Sequence, residues 1–304
     1  MKIQAILLKS LTGHQGAIYA LEPGPEPGMV FSGGADCVIT AWDLFTRKNI
    51  PFLAHLPNPV YSLCFIREQN LLLAGTSIGN IHIIDLEKKQ EIKVLKNHLS
   101  QVFSIRYSAK HNSFYTLGAD GRFAVCDLAT RSARKIQRLS NSKLRQLDLN
   151  VQQTELAIAT GDGDIILLDA ITLAQTNRFK AHTLSVNAVR YHPQGKLILT
   201  GGKDAHLNGW ALEDSASPRF SIPAHNFSIY SIQFSPDHKL YATSSRDKTI
   251  KIWDASTNEF LLRINKEIHE GHVNSVNALY WSDDPACLVS AGDDRSLMVW
   301  EIRS

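Results

Sequence analysis

The sequence has few cysteines, and none of them lie close together. Four are scattered singly along 304 residues, without a CxxC pair: Cys37, Cys64, Cys126 and Cys287. Such spacing supplies neither a disulfide framework nor a thiolate metal site, and it is typical of proteins from a reducing compartment. We therefore predict a cytoplasmic protein without a bound metal.

Long apolar runs and a large charge of either sign are also missing. No stretch approaches the roughly 20 apolar residues of a membrane-spanning helix. Lys9 interrupts the apolar start, and no small-residue cleavage site follows it, so we predict no signal peptide and no membrane partner. The net charge of +3 is small for this length. It argues against nucleic acid as the main partner, because nucleic-acid-binding domains carry a concentrated basic face.

Motifs that bind nucleotides are absent as well. The chain contains no GxxxxGK[ST] loop, and its glycines fall at predicted turns. Nothing in the sequence therefore supports the binding of a nucleotide. We expect no cofactor.

What the sequence does contain is a repeat. Residues 224–255 read AHNFSIYSIQFSPDHKLYATSSRDKTIKIWDA, and near-copies of this stretch recur along the chain. Apolar and polar residues alternate in three short runs, FSIYSIQF, KLYATS and TIKIWD, which are separated by SPDH and SRDK. Alternation with a period of two, interrupted by turn residues, predicts a three-stranded meander.

Four side chains recur within the repeat at intervals of 18, 4 and 6 residues. The complete sets are His14, Ser32, Asp36 and Trp42; His182, Thr200, Asp204 and Trp210; His225, Thr243, Asp247 and Trp253; and His272, Ser290, Asp294 and Trp300. With Trp42-Asp43 and Trp253-Asp254 at the repeat ends, the sequence resembles the WD-repeat family. The resemblance implies that each set forms a buried hydrogen-bonded chain from the Asp, through the His, to the hydroxyl and the indole.

The resemblance also implies an all-β fold, a seven-bladed WD-repeat β-propeller with four-stranded antiparallel blades. Counting one blade per His or its substitute gives starts at His14, His55, His98, Asn141, His182, His225 and His272. The last repeat has only three predicted strands, so we predict that an N-terminal strand over residues 2–11 closes the last blade. Residues 1–304 would then form a single domain.

Three repeats have lost part of the four-residue set. The replacements are Ala74, Ile78 and Ile84 in the second repeat, Cys126 in the third, and Asn141 and Leu168 in the fourth. The fourth repeat nevertheless keeps Asp162 in the turn. We expect no network in the second blade, and we expect apolar packing to hold the fourth.

Some of these residues imitate catalytic or metal sites. Ser290, His272 and Asp294 have the composition of a hydrolase triad, but the set occurs four times, whereas a catalytic site is normally single. Each set also includes a Trp, whose indole needs an acceptor. The motifs HEGH at 269–272 and GDGD at 161–164 are weak metal signals, because His272 belongs to its blade and no calcium-loop Glu follows the second motif. We predict structural roles for all of them.

The resemblance indicates where a functional surface lies. In WD-repeat proteins the residue five after the His and the residue before the turn Asp point onto one face near the central channel. When the first strands are aligned by their apolar positions, with one extra residue in the second repeat, the first position holds Tyr19, Tyr61, Phe103, Arg145, Asn187, Tyr230 and Asn277, and the second includes Lys203, Arg246 and Asp293. With Lys143 added, this face has an aromatic arc over blades one to three and a basic arc over blades four to six.

These residue types favour binding over catalysis. Exposed Tyr and Phe commonly form hot spots, and Arg and Lys bind carboxylate or phosphate. We predict a non-enzymatic scaffold, a monomeric propeller within a larger complex, that binds a protein or peptide with an acidic or phosphorylated stretch. Two alternatives remain open. One is an RNA platform that stacks bases on Tyr and holds phosphates with Arg145 and Lys203. The other is an enzyme at the channel mouth, where Asp293 is the only acid.

Overall fold

The computed structural model describes residues 3–195, 197–213 and 215–303. The fold class is the predicted one, a seven-bladed β-propeller of four-stranded antiparallel sheets. The chain divides into two compact units. The first unit comprises Met1–Val60 with His225–Ser304, and the second comprises Tyr61–Ala224.

The strands follow one another along the chain, and each blade is a meander of consecutive strands. The first strand is β1 (Gln4–Thr12). Blade one contains β2 (Ile18–Pro23), β3 (Met29–Gly34), β4 (Val38–Asp43) and β5 (Lys48–His55); blade two contains β6 (Val60–Ile66), β7 (Leu71–Thr76), β8 (Ile81–Asp85) and β9 (Gln90–Leu95); blade three contains β10 (Val102–Ser108), β11 (Ser113–Gly118), β12 (Arg122–Asp127) and β13 (Ser132–Arg138).

The later blades repeat this order. Blade four contains β14 (Leu144–Leu149), β15 (Glu155–Thr160), β16 (Asp164–Asp169) and β17 (Gln175–Lys180); blade five contains β18 (Val186–Tyr191), β19 (Leu197–Gly202), β20 (His206–Ala211) and β21 (Phe220–Pro223); blade six contains β22 (Ile229–Phe234), β23 (Leu240–Ser245), β24 (Ile250–Asp254) and β25 (Phe260–Ile264); blade seven contains β26 (Val276–Ser282), β27 (Cys287–Gly292) and β28 (Ser296–Arg303).

The prediction for the N-terminal strand is confirmed. β1 pairs with β28 as the fourth strand of blade seven, with Ala5 opposite Ile302 and Leu11 opposite Leu297. The apolar side chains of β1 pack into two clusters of the first unit, because alternate residues of a strand point to opposite faces.

Among the residues that the structure describes, two short helices interrupt the strands. A 3₁₀ helix covers Arg67–Gln69, and α1 covers Lys266–His269 in the long connection before blade seven. No helix formed by the described residues is long and apolar enough to cross a membrane.

Adjacent blades within each unit pack face to face through buried apolar side chains. In the second unit, buried clusters join blade two to three, three to four, and four to five. In the first unit, corresponding clusters join blade six to seven and seven to one. Both faces of the inner strands of blades three, four and seven are thus covered, which explains the nearly continuous burial of β11 and β27.

The Asp that ends several of the repeats forms the turn into the outer strand. Asp43 Oδ1 accepts from the backbone N–H of Phe45 at 2.8 Å, and Asp254 Oδ1 accepts from that of Ser256 at 2.8 Å. A carboxylate that accepts from residues two and three positions later forms an Asx turn. This turn reverses the chain between the third and fourth strands of the blade.

Candidate functional site

The four side chains of each complete set are joined by hydrogen bonds. In blade six, His225 Nδ1 lies 2.9 Å from Asp247 Oδ2, His225 Nε2 lies 2.8 Å from Thr243 Oγ1, and Trp253 Nε1 donates to Thr243 Oγ1 at 2.9 Å. An indole can only donate and an ionised carboxylate can only accept, so Asp247 accepts from Nδ1–H of the neutral His225 ring, and Thr243, which accepts from the indole, donates to His225 Nε2. His225 Nδ1 then carries the ring proton and donates it to the carboxylate.

Blades one, five and seven contain the same chain of contacts. The Trp-to-hydroxyl distances are 2.7 Å for Trp42, 3.0 Å for Trp210 and 2.8 Å for Trp300. The His-to-hydroxyl distances are 2.7, 2.9 and 2.8 Å in the same order. The Asp of each set also accepts from the backbone N–H that follows the His, as Asp294 does from Val273 at 3.0 Å.

The protonation states of these groups follow from their surroundings. Burial alone would raise the pKa of Asp204 and of Asp294, but hydrogen bonds from His182 and His272, together with backbone N–H groups, lower both pKa values to about 2. Burial lowers the pKa of His225. A neutral imidazole between a hydroxyl and an ionised carboxylate agrees with the proton positions derived above.

Blades two to four lack the complete chain of hydrogen bonds. Two of the sequence assignments to its His position, His55 and Asn141, were wrong. His55 is exposed at the end of β5, whereas Leu56, which stands 18 residues before Ala74, is buried. His55 was counted because it lies only one residue before the equivalent position. In blade four the position belongs to Ser140 and not to Asn141, since Ser140 is the residue 22 before Asp162, and its hydroxyl donates to Asp162 Oδ2 at 3.4 Å.

Blade three keeps the remaining links of its set. His98 Nε2 lies 2.9 Å from Thr116 Oγ1, and His98 Nδ1 lies 3.3 Å from Asp120 Oδ1. Cys126 replaces the Trp, and its Sγ accepts from Asn97 Nδ2 at 3.1 Å. The set therefore ends at the hydroxyl.

The triad-like set of blade seven is not open to a substrate. Ser290 Oγ lies 2.8 Å from His272 Nε2, as a nucleophile would, but it also accepts from Trp300. Ser290 is 0% exposed. A nucleophile must reach its substrate, so this set stabilises the blade and has no route to acyl chemistry.

The two metal-like motifs are engaged in other contacts. His272 is bound to Asp294 and Ser290, while His269 Nδ1 lies 3.3 Å from Asn265 Oδ1 beside α1. In the GDGD turn, Asp162 and Asp164 both accept from the guanidinium of Arg178. Among the described residues, no three His, Cys, Asp or Glu side chains are grouped to hold a metal ion.

The surface positions predicted from the repeat have a structural feature in common. Strand pairing between the first and second strands of a blade breaks at this position, which leaves a β-bulge at Tyr19, Phe103, Arg145, Asn187, Tyr230 and Asn277. A bulge leaves its residue out of the ladder and redirects the side chain. Each of these residues, and Tyr61 in blade two, is half-buried.

The residue before the turn Asp lies beside the bulge. Its backbone N–H donates to the carbonyl of the residue two positions before the bulged residue. The Lys203 N–H donates to the carbonyl of Ser185 at 2.7 Å, and the Arg246 N–H donates to that of Ser228 at 2.9 Å. In blade seven the two positions touch through their side chains, because Asn277 Nδ2 donates to Asp293 Oδ1 at 2.7 Å. The two sets predicted from the sequence therefore lie at the same end of each blade.

In the second unit three of these positions form a contiguous cluster. The rings of Tyr61 and Phe103 meet edge to face with centroids 5.6 Å apart. The guanidinium carbon of Arg145 lies 5.0 Å from the centroid of the Phe103 ring. The predicted aromatic and basic arcs are thus in direct contact here, with Phe103 between its two neighbours.

In the first unit the corresponding residues make other contacts. Asn277 stands in blade seven, between Tyr230 in blade six and Tyr19 in blade one, and its amide also donates to the carbonyl of Ile18 at 3.0 Å. The guanidinium of Arg246 lies 5.9 Å from the ring of Phe227, which is more than half exposed.

Two residues at this end of the blades were missed by sequence reasoning. Leu99 is 72% exposed just before β10, and Ile78 is 51% exposed in the turn between β7 and β8. The turn packs against the Leu99 segment, since a side chain at Gly79, which has a φ of +93°, would lie 2.3 Å from the carbonyl of His98. The signal was available: Ile78 occupies the position of a turn Asp.

Comparison with known proteins identifies the family. The family model for the WD domain, G-beta repeat matches residues 6–43, 173–210, 216–254 and 265–301, together half of the chain. The chain belongs to the WD-repeat family. The four matches end at blades one, five, six and seven, which are the blades with a complete hydrogen-bonded set.

Individual relatives of this WD-repeat chain resemble it over part of their length. It is 26% identical to a serine-threonine kinase receptor-associated protein of Gallus gallus over 64% of this chain and 55% of that protein. It is 32% identical to the small ribosomal subunit protein RACK1z of Oryza sativa subsp. japonica over 38% of this chain and 36% of that protein. A WD repeat-containing protein 91 of Danio rerio is 32% identical over 38% of this chain and 15% of that protein. The chain thus spans about half the length, or less, of these relatives.

Proposed function

We propose that this WD-repeat protein is a non-enzymatic scaffold that binds a partner protein or peptide at the bulged end of its inner strands. In the second unit the proposed surface, called the bulge surface below, consists of Tyr61, Phe103, Lys143, Arg145, Asn187 and Lys203. The matching positions in the first unit are Tyr19, Tyr230, Arg246 and Asn277. The observation that carries the proposal is the contact among Tyr61, Phe103 and Arg145.

The apolar part of the bulge surface is suited to anchor a partner. Tyr61 and Phe103 are held against each other, so little side-chain entropy remains to be lost on binding. The exposed Leu99, four residues before Phe103, adds apolar area, and Ile78 adds more in the turn that packs against the Leu99 segment. An apolar segment of a partner would be desolvated there, as in a hot spot.

The charged part of the surface favours an acidic partner. Lys143 and Lys203 are exposed at this end of blades four and five, and Arg145 lies between aromatic and basic neighbours. A guanidinium held against an aromatic ring is pre-organised, so it loses less side-chain entropy when it donates to a carboxylate or phosphate. The positions before the turns of blades two to five, Ser77, Ala119, Gly161 and Lys203, include no acid.

A binding role is supported further by what surrounds these positions. The side chains of Ser290 and His272 are buried, and the carboxylate of Asp293 accepts a hydrogen bond from Asn277. The names of two relatives, a receptor-associated protein and a ribosomal subunit protein, describe association with other macromolecules. The four cysteines are free thiols, which supports a reducing, cytoplasmic setting.

Affinity capture from a lysate of the source organism tests the proposal. We compare the wild type with Phe103→Ala/Arg145→Gln. The matched control is Phe260→Ala/Lys251→Gln, because Lys251 Nζ also lies over a ring, 5.4 Å from the centroid of Phe260 on the outer strand β25. We expect the first variant to lose a partner that the control retains.

The captured partner is then purified and titrated against all three proteins. Direct binding to wild type and control, with at least about tenfold weaker binding to Phe103→Ala/Arg145→Gln, supports the proposal. Equal affinity for all three folded proteins would place the binding site elsewhere on the molecule. Binding by RNA recovered in the same capture, with a steep dependence on salt, would favour the nucleic-acid alternative.

A further inference from the structure

A polar cavity opens beside blade four, outside the bulge surface. Its volume is about 320 Å³, and it is lined by Arg138, Leu139, Ser140, Asn141, Asp162 and Arg178. The lining comes from the end of outer strand β13, the segment leading into β14, the turn after β15, and outer strand β17. All of these belong to the second unit.

The cavity lies where blade four has lost its His. Ser140 stands in the His position, and Ile158 and Leu168 stand where the hydroxyl and the Trp belong. A serine is much smaller than an imidazole, so the space beside Asp162 is left open. The Ser140 backbone is fixed in place, because its N–H donates to the carbonyl of Gly121 and its carbonyl lies close against the Gly121 Cα.

Hydrogen-bond donors face this space from several elements. The hydroxyls of Ser140 and Ser142 lie 2.9 Å apart, and Arg138 Nε donates to the carbonyl of Ser140 at 3.2 Å. That contact holds the Arg138 guanidinium at the cavity wall. Arg178 also lines the cavity, and its Nε donates to Asp164 Oδ2 at 2.7 Å.

The charge of the cavity is positive overall. Asp162 and Asp164 are balanced by Arg178 and by Lys180, whose ammonium lies 3.7 Å from Asp164. Arg138 adds a further positive charge: within the described part of the chain, no ion pair involves it. Its neighbour across the strand pair is another arginine, Arg122, which is paired with Asp120. An anion would therefore be attracted to the Arg138 side.

The cavity is connected to the bulge surface by a short segment. Ser142 and Lys143 follow Asn141 directly, and the backbone N–H of Gly161 donates to the carbonyl of Lys143 at 2.7 Å. Arg145 lies two residues further on. A partner segment lying on the bulge surface could extend past Lys143 into the cavity.

We propose that this cavity binds the phosphate monoester of a phosphorylated side chain on the partner. The inference rests on the proposed function, because the partner bound there supplies the phosphorylated side chain. Each of the two guanidiniums carries several N–H groups, so together they can donate to several oxygens at once, which suits the three terminal oxygens of a phosphate better than the two of a carboxylate.

Titration calorimetry with O-phosphoserine tests the site without any partner. Inorganic phosphate and glutamate are titrated in parallel. We expect saturable binding of phosphoserine that inorganic phosphate competes for, and no saturable binding of glutamate. Arg138→Gln should weaken phosphoserine binding by about tenfold or more. Arg134→Gln, which removes a charge from the same strand outside the cavity, should leave it unchanged.

Filling the cavity provides a second, independent variant. Ser140→His places an imidazole where the complete blades have one, so phosphoserine binding should be lost while the melting temperature is kept.

No saturable phosphoserine binding by the wild type, equal binding by Arg138→Gln, or equal binding of glutamate would overturn the inference. A site that takes inorganic phosphate and excludes phosphoserine would also overturn it. These measurements need no partner, so their failure leaves the proposed scaffold function standing. Failure of the capture experiment would contradict the scaffold function, and the phosphoserine titration would still report on the cavity.

Discussion

Each complete blade contains four side chains whose hydrogen-bonding roles depend on one another. Trp253 can only donate, so Thr243 must accept from it and donate to His225, which in turn donates to Asp247. Removal of one member leaves the others buried without a partner, which costs more than the lost bond itself. The sets are therefore expected to matter for folding in proportion to their completeness.

Truncation of the turn Asp tests this dependence. Asp247→Ala should lower the free energy of unfolding by about 2–3 kcal/mol, because His225 and the N–H groups of Asn226 and Thr249 lose their acceptor. Asp162→Ala should cost less, since the Asp162 side chain is 42% exposed and water can replace it. Urea denaturation of both variants makes the comparison, and equal losses would contradict it.

Acid should weaken the same sets. The pKa of Asp204 and Asp294 is about 2 in the folded protein, below the ordinary value of 3.8, so their stabilisation is complete above pH 3.8 and is lost as the pH falls towards 2. The pKa of His225 is also lowered, from 6.5, so its contribution begins to decline below pH 6.5. The melting temperature should fall gradually below pH 6.5 and steeply below pH 3.8. Asp294→Asn should flatten the steep part, and a protein that became more stable in acid would refute the assignment.

The residues of the complete sets could be predicted because strand pairing fixes their spacing. The incomplete blades could not be aligned with the same accuracy. A one-residue shift before blade two brought His55 into the count although Leu56 occupies the site, and in blade four Asn141 was counted although Ser140 is in place. The cavity beside Ser140 could not be predicted from the sequence either. It arises because Ser140 and Leu168 are smaller than the His and the Trp that occupy these positions in the complete blades.

At the scale of elements, the bulge near the start of six inner strands explains why one repeat position carries such varied side chains. Phe103, Arg145 and Asn187 are all outside the ladder, so pairing does not select their residue type. The sequence indicated the position through the family resemblance. It could not indicate the bulge, which leaves no mark in composition, or the contact of Phe103 with both Tyr61 and Arg145.

Strand β1 provides the test at this scale. Deleting residues 1–11 removes the partner of β28 and takes Leu7, Leu8 and Leu11 out of two buried clusters. The exposed edge of β28 should then cause aggregation or a large fall in melting temperature. Deleting only residues 1–3, ahead of β1, serves as the control. A longer truncation that remained monomeric and as stable as the control would contradict the role of this strand.

For the whole molecule, the sequence predicts that residues 1–304 form one domain. The repeat runs from end to end, and within each unit every blade buries its faces against the next. We expect a single unfolding transition in scanning calorimetry, with equal calorimetric and van't Hoff enthalpies. Two resolved transitions would mean that the two compact units unfold as separate domains.

The central claim concerns the bulge surface, and the affinity of the captured partner for Phe103→Ala tests it most directly. Phe103 contacts both Tyr61 and Arg145, so its truncation removes the centre of the proposed hot spot. We predict a loss of about 2 kcal/mol, or about 30-fold in Kd, mainly through faster dissociation and with little change in melting temperature. Phe260→Ala on the outer strand should bind like the wild type. Unchanged affinity of a folded Phe103→Ala protein would contradict the account.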